Sequence, residues 1–243
     1  MCSESVVALT TMTAPFLDFV HAIVAGDIDD IARRLMANPG LATVVLEVGA
    51  TRGDASSFFF TDIAHYCYAG DTALHMAAAA FRPQGGALLI EAGANCRARN
   101  RRGAEPLHYA ADANHWDPTA QSAMIEYLLS IGADPNAVDN DATAPLHRAV
   151  RTRSLSAVRA LVDGGADPKK PNASGSTPLH LAVQTTGRGG SGTRRAREQQ
   201  AGIITLLLQR GAKPTDQDRR GTAVYQAATS PWIRALLTQS SPD

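Results

Sequence analysis

The chain has 243 residues, 44% of them hydrophobic, enough to bury a sizeable core. Lys plus Arg and Asp plus Glu each number 23, so the formal net charge is zero and no global field draws the chain to nucleic acid or membrane surfaces. The three cysteines, Cys2, Cys67 and Cys96, are odd in number and form no Cys-x-x-Cys pair, so no disulfide framework is expected and a reducing, cytoplasmic setting fits best.

The first stretch, MCSESVVALTTMTAPFLDF, lacks a positive leader and carries Glu4. Its apolar run is short and broken by threonines, so neither a signal peptide nor a membrane span is expected. Residues 1–14 read as a flexible tail, as do residues 239–243 at the other end. Residues 15–40 read as two amphipathic helices joined at Gly26-Asp27. Pro15 suits a first helical turn, and Asn38-Pro39-Gly40 suits a helix end. Residues 41–70 form a long connection that holds Phe58, Phe59, Phe60, Tyr66 and Tyr68. Long segments inside compact repeats are functional or disordered, and the aromatics argue against disorder.

From residue 71 the chain repeats itself. GDTALHMAA, GAEPLHYAA, ATAPLHRAV and GSTPLHLAV place Leu-His pairs ending at His75, His108, His147 and His180. Between them stand EAGANCRARN, SIGADPNAVDN, DGGADPKKPN and QRGAKPTDQD. From the Gly of each Gly-Ala pair to the next histidine is 15 residues three times: 93 to 108, 132 to 147 and 165 to 180. From each histidine forward to the next such Gly, the distances are 18, 24, 18 and 31. Two helix-to-helix turns are therefore enlarged, by DANHWDPTAQ and by TTGRGGSGTRRAREQQ. Insertions of this kind fall in loops, because stacked helices cannot absorb them. The final GTAVYQAATSPWIRALL places Ser230 as N-cap and Pro231 at the first helical position, with Tyr225 standing where a histidine stood before.

These lines resemble the ankyrin repeat, a turn and two antiparallel helices followed by a projecting finger. The resemblance covers residues 15–238. It implies an all-α solenoid of about six helix pairs with β-hairpin-like fingers. Its parts would be capping helices at 15–40, an enlarged first finger at 41–70, repeats at 71–220 and a C-terminal cap at 221–238. It also assigns His75, His108, His147 and His180 to structure, tying successive fingers together; their recurrence in one register supports this. The type resembles bacterial stand-alone ankyrin proteins.

Other residues lie outside the repeat. His65 and Cys67 are the candidate metal ligands, since His-x-Cys can chelate a borderline metal, with His115 also off register. A closed zinc site needs four ligands, and no second pair stands at metal-like spacing, so no metal and no cofactor are expected. The bland alternative packs Tyr66, Cys67 and Tyr68 with His65 at the finger's base. Gly187 to Gly192 has Walker-like spacing, but Thr193 stands where lysine is required and no strand precedes it. Arg194, Arg195 and Arg197 near a helix N-terminus are electrostatically misplaced. An anion held with Arg188, Gly189 and Gly190 would resolve that, while the bland reading is a solvated insertion. Arg52-Gly53-Asp54 is a chance match without secretion. No Gly-x-Ser-x-Gly or HExxH occurs.

The resemblance implies partner binding through finger tips and inner helices. In this register the candidates are Tyr68, Asp71, Arg101, Arg102 and Asp141 on fingers, with Asp112, Arg151 and Gln184 on inner helices. CRARNRR, residues 96–102, is the densest basic run. The expectation is a monomeric, non-enzymatic scaffold that binds a polar or acidic segment of another protein, with no membrane and no nucleic-acid partner. The rival is an enzyme or small-anion receptor. It would use His65 as acid/base, Asp112 and Asp141 as polar partners, and Arg101, Arg102 and Arg188 as clamps.

Overall fold

The computed structural model describes residues 3–112, 117–185 and 193–239, with residues 3–13 as backbone only. The chain divides into two compact units. One comprises Met1–Ala110 and Asn114–Asp134, the other Ala111–Ala113 and Pro135–Asp243.

The first unit opens with α1 (Ser3–Ala25) and α2 (Ile28–Ala37). Helix α1 starts before Pro15, which lies inside it rather than at its first turn. Proline removes one backbone donor from a helix, and the flanking sequence sustains the helix on both sides of that gap. Asp27 caps α2 by accepting the Asp30 N–H at 2.9 Å, and Ile31 and Leu35, four residues apart, form its buried face. Two further helix pairs follow, α3 (Ala73–Ala79) with α4 (Pro83–Glu91), and α5 (Pro106–Ala111) with α6 (Pro118–Ser130). Every residue of α3 is buried, and its alanines allow α1 to pack closely.

The enlarged first finger has a small core of its own. Strands β1 (Phe59–Phe60) and β2 (His65–Tyr66) pair antiparallel, Phe59 opposite Tyr66 and Phe60 opposite His65. The incoming chain is tied alongside: Leu46 N–H donates to Asp71 O, Gly70 N–H to Leu46 O, and Ala50 N–H to Cys67 O. Phe58, Phe60, Ile63 and Cys67 are buried, and Phe60 rests on the His21 ring of α1 at 4.7 Å.

The second unit contains α7 (Pro145–Arg151) and α8 (Leu155–Asp163), α9 (Pro178–Ala182) and α10 (Arg194–Gln209), and α11 (Val224–Ala227) and α12 (Pro231–Gln239). The described helices thus form six pairs.

The recurrent histidine works the same way in both units. The Thr72, Glu105, Ala144 and Thr177 N–H groups donate to Nδ1 of the histidine three residues on, at 3.1, 3.1, 3.1 and 3.2 Å. With Nδ1 accepting, the proton sits on Nε2. Nε2 then donates to the following finger: His75 to Ala104 O, His147 to Ser176 O and His180 to Thr222 O, at 3.1, 3.3 and 3.2 Å. Each accepting carbonyl lies four residues before the next position of the same kind. After His180 that position is Gln226, not Tyr225. Gln226 Oε1 receives the Ala223 N–H at 2.9 Å, while Tyr225 faces out, with the Arg234 guanidinium 5.8 Å from its ring.

The two enlarged turns have a shared solution. In the regular pairs the carbonyl two residues past the histidine receives a backbone N–H, Arg82 to Ala77 O and Ser154 to Ala149 O. Where the insertions shorten the inner helix, a buried glutamine of the outer helix substitutes. Gln121 Nε2 donates to Ala110 O at 2.9 Å, and Gln200 Nε2 to Ala182 O at 2.7 Å. Buried carbonyls left without donors would be costly, so these glutamines allow the turns to open.

Each finger turn needs a left-handed residue five positions before the histidine site. Gly70 (φ +90) and Gly175 (φ +80) supply it where fingers meet; a Cβ there would lie 2.5 Å from the next finger's backbone nitrogen. Ala142 occupies the same position at φ 53. Ala142→Gly relieves that cost, and urea denaturation is expected to show a gain of about 0.5–1 kcal/mol; a loss would contradict the strain.

Burial pushes the His75 and His147 imidazoles below the ordinary histidine range, although His75 feels an opposing pull from Asp71 and Ala104 O. The unfolded chain therefore binds these protons more readily. Their stabilisation is complete above about pH 6.5 and is lost as pH falls toward the folded values. The thermal midpoint should drop between pH 7 and pH 5. His75→Ala should cost about 2–4 kcal/mol and flatten that slope.

Candidate interaction surface

The finger tips are built from a side-chain clamp. Asn100, Asp139, Asn172 and Asp218 each stand eight residues before a histidine-type position, 108, 147, 180 and 226. The Oδ1 of each accepts two N–H groups across the turn: Arg102 and Ala104, Asp141 and Thr143, Ser174 and Ser176, Arg220 and Thr222. This folds the tip and points its side chains outward. Arg101 and Arg102 are exposed on one tip of the first unit; Asp141, and the pair Arg219 and Arg220, are exposed on tips of the second.

In the first finger the clamp is reversed. Cys67 stands at the clamp position, and a thiol cannot accept two N–H groups well. Asp71, at the far end of the turn, reaches back to the Tyr68 N–H at 2.7 Å. Its oxygens also accept Asn100 Nδ2 at 2.9 Å and the Tyr109 hydroxyl at 2.8 and 3.0 Å. Asp71 was expected on an exposed tip, but it has no exposed surface. The reason is this set of converging donors, which replaces water around the carboxylate. Tyr68 is half-buried, 6.3 Å from His65 in an edge-on arrangement. The His65 ring packs edge-on against Tyr109 at 4.7 Å. Burial, reinforced by Asp71, pushes the Cys67 thiol well above its ordinary value, away from the thiolate that a metal binds. Among the described residues no three His, Cys, Asp or Glu side chains converge to hold a metal.

In the second unit the residue after the histidine is Arg148. Its guanidinium bridges Asp112 at 2.7 Å and Asp139 at 2.9 Å, and Arg151 reaches Asp112 at 3.6 Å. Burial acts to raise the Asp139 carboxyl, but Arg148 with the Thr143 and Asp141 N–H groups outweighs it and holds the group below the usual range. Burial likewise disfavours the Arg148 charge, yet the two carboxylates raise its pKa further. Asp112 is thereby engaged in structure, while the Arg151 side chain remains 61% exposed. Gln184 is exposed beside Gln200, whose Nε2 also donates to Gln184 O at 3.2 Å.

Arg188, Gly189 and Gly190 lie outside the described residues, as does His115. Arg194 and Arg195 do open helix α10, with Thr193 as its cap, and Arg194 pairs with Glu198 at 2.9 Å one turn on. That carboxylate offsets an arginine placed at a positive helix end.

Described residues of the second unit line two cavities among others. One, of 80 Å³, is lined by α7, α9 and α10 residues that include Arg151 and Gln184. The other, of 470 Å³, lies at the last helix pair between Tyr225, Gln226 and Leu237, with no charged residue on its wall.

The residues that sequence reasoning missed include Asn100, Tyr109, Asp139, Arg148, Gln200 and Gln226. Fixed offsets would have found three of them. The clamp recurs eight residues before the histidine, and the 15-residue interval from Gly211 lands on 226. Nothing local marks Gln200 among the neighbouring polar residues.

Paired helices, left-handed finger turns and a histidine that bonds forward to the next finger define a helical repeat protein of the finger-bearing kind. Residues 20–139 and 119–218 match the family described as ankyrin repeats (3 copies), and the chain belongs to that family. It is 43% identical over 81 residues to the E3 ubiquitin-protein ligase KEG of Arabidopsis thaliana, covering 33% of this chain and 5% of that protein. It is 30% identical over 121 residues to neurogenic locus notch homolog protein 1 of Danio rerio, covering 38% of this chain and 5% of that protein. The chain thus spans about a twentieth of the length of these curated relatives. No described helix is long and apolar enough to cross a membrane.

Truncation of Asp71 tests the reversed clamp. Asp71→Ala removes the carboxylate that accepts from the Tyr68 N–H, the Asn100 amide and the Tyr109 hydroxyl. It should cost about 3 kcal/mol in urea denaturation and speed amide exchange across residues 59–68. Unchanged exchange there would show that the finger is held by other means.

Proposed function

We propose that this chain is a protein-interaction scaffold that binds a polar or acidic segment of a partner protein through finger tips and inner-helix positions. Ankyrin repeats mediate protein–protein interaction, and fold alone names no partner. The observation that carries the finer reading is the Arg101-Arg102 tip. Two exposed guanidinium groups stand on a backbone fixed by Asn100, by the Ala69 carbonyl and by the following glycine turn. An arginine pair on a fixed backbone suits bidentate recognition of carboxylates. Asp112 and Asp139 are balanced by Arg148 and Arg151, two cations against two anions, which limits their repulsion of an acidic segment. The anion-receptor alternative has less support. Small-molecule sites occupy roughly 300–1,000 Å³; of two cavities lined by described residues, the arginine-bearing one has 80 Å³, and the one of 470 Å³ has no charged residue on its wall.

A phage-displayed peptide library panned against the full chain should enrich Asp- and Glu-rich sequences. Binding of the enriched peptides should weaken about tenfold in Arg101→Ala/Arg102→Ala and fall as salt is raised. Enrichment of neutral peptides, or equal binding by the double variant, would sink the reading.

A further inference from the structure

Successive fingers are joined by two bonds at fixed positions. The histidine Nε2 donates to the carbonyl four residues past the next clamp residue, as His147 does to Ser176 O and His180 to Thr222 O. The N–H one residue past that clamp donates back, to the carbonyl six residues before the histidine. Arg101 donates to Ala69 O, Ala173 to Asp141 O and Arg219 to Ser174 O, at 3.2, 3.1 and 3.2 Å. A finger thus offers its predecessor an N–H and a carbonyl three residues apart, on a turn closed by Asn or Asp.

The last finger presents the receiving half of this interface. Gln226 holds the histidine position, and its Oε1 is taken by the Ala223 N–H. Its Nε2 is the counterpart of the histidine Nε2, and Arg220 O the counterpart of Ala69, Asp141 and Ser174 O. Neither has a partner among the described residues. Gln226 also lines the 470 Å³ cavity, together with Pro214, Gln217, Ala223, Tyr225 and Leu237. That volume lies in the range that holds a ligand, and Tyr225 is 43% exposed.

Fingers of a second copy are poorly placed to fill it. Those led by Asn100, Asn172 and Asp218 have both groups bonded to the preceding unit. In the first finger the Tyr68 N–H is held by the Asp71 carboxylate, and Asp71 O accepts the Leu46 N–H at 2.8 Å.

We infer that the groove at the last finger receives a turn of another protein, of the Asn/Asp-x-x-Gly kind that closes the fingers here. The N–H after its Asn or Asp donates to Arg220 O, and the carbonyl three residues further accepts from Gln226 Nε2. Main-chain bonds then supply affinity, and the cavity at Tyr225 and Leu237 selects the flanking side chain. This surface belongs to the second unit and does not rest on the acidic-segment reading.

The test uses the isotope-labelled full chain and a peptide of residues 171–177, Pro-Asn-Ala-Ser-Gly-Ser-Thr, closed by a disulfide between added terminal cysteines. In nuclear magnetic resonance, saturable shifts are expected at the Gln226 side-chain amide and the Leu237 methyls. Methylating the peptide nitrogen at Ala173 removes one donor and should weaken binding about fivefold, the net value of one hydrogen bond. Gln226→Glu keeps an oxygen for the Ala223 N–H but removes the other donor, and should weaken binding about fivefold as well. Gln226→His restores the repeat residue and should retain binding. Absent or non-saturable shifts, equal affinity for the methylated peptide, unchanged affinity in Gln226→Glu, or loss of binding in Gln226→His would each overturn the inference. So would sedimentation of the free chain as a dimer that Gln226→Glu dissociates, which would give the groove to a second copy.

Discussion

The imidazole that accepts one N–H and donates another is the interaction on which the fold depends. A helix start leaves backbone donors unpaired, and a finger strand leaves carbonyls unpaired. One neutral histidine satisfies one of each, as His75 does between Thr72 N–H and Ala104 O. The bond fixes a distance between the start of one inner helix and the end of the next finger. The constant 15-residue interval follows from it, because a longer finger would carry its carbonyl out of reach. The left-handed glycines follow as well, since the turns they make must touch. The ring must also stay neutral, which couples the fold to protons through groups that have no part in binding.

The first finger shows how the same requirement is met when the sequence departs from the pattern. With Cys67 at the clamp position, closure moves to the other end of the turn. Asp71 takes over, drawing in Asn100 and Tyr109 as donors. A side chain with the charge of a binding residue thereby becomes a fully buried acceptor for three donor groups. The aromatics around it serve the same end: Phe58 and Phe60 bury the added chain, and Tyr109 both donates to Asp71 and supports His65.

Much of this was legible in the sequence and some was not, for physical reasons. Repeat spacing revealed the helix pairs, the structural histidines and the two enlarged turns, because those features are imposed by local backbone geometry. The helix junction at Gly26-Asp27 was readable on the same grounds. Burial at a single position was harder. Asp71 sits in an exposed-tip register, and only the distant donors Asn100 and Tyr109 reveal its true environment. Tyr225 looked like the histidine substitute because it follows Ala-Val as His75 follows Ala-Leu. The structure gives that part to Gln226, whose amide oxygen can accept where a phenol at the preceding position cannot reach. The start of α1 also lies earlier than Pro15 suggests, since the helix accommodates that proline in its interior despite the lost bond and the ring's crowding of the preceding turn.

The glutamines beneath the enlarged turns have a consequence for how such a chain can change. Where a backbone amide closes the inner helix, loop length and helix geometry are one constraint. Where Gln200 closes it by side chain, they become separate. The connection between Thr185 and Thr193 can then be lengthened, recomposed or replaced by foreign sequence while the helices on either side keep their seats. A side-chain latch of this kind turns a fixed corner of a repeat into a port, through which new recognition sequence can enter without renegotiating the core.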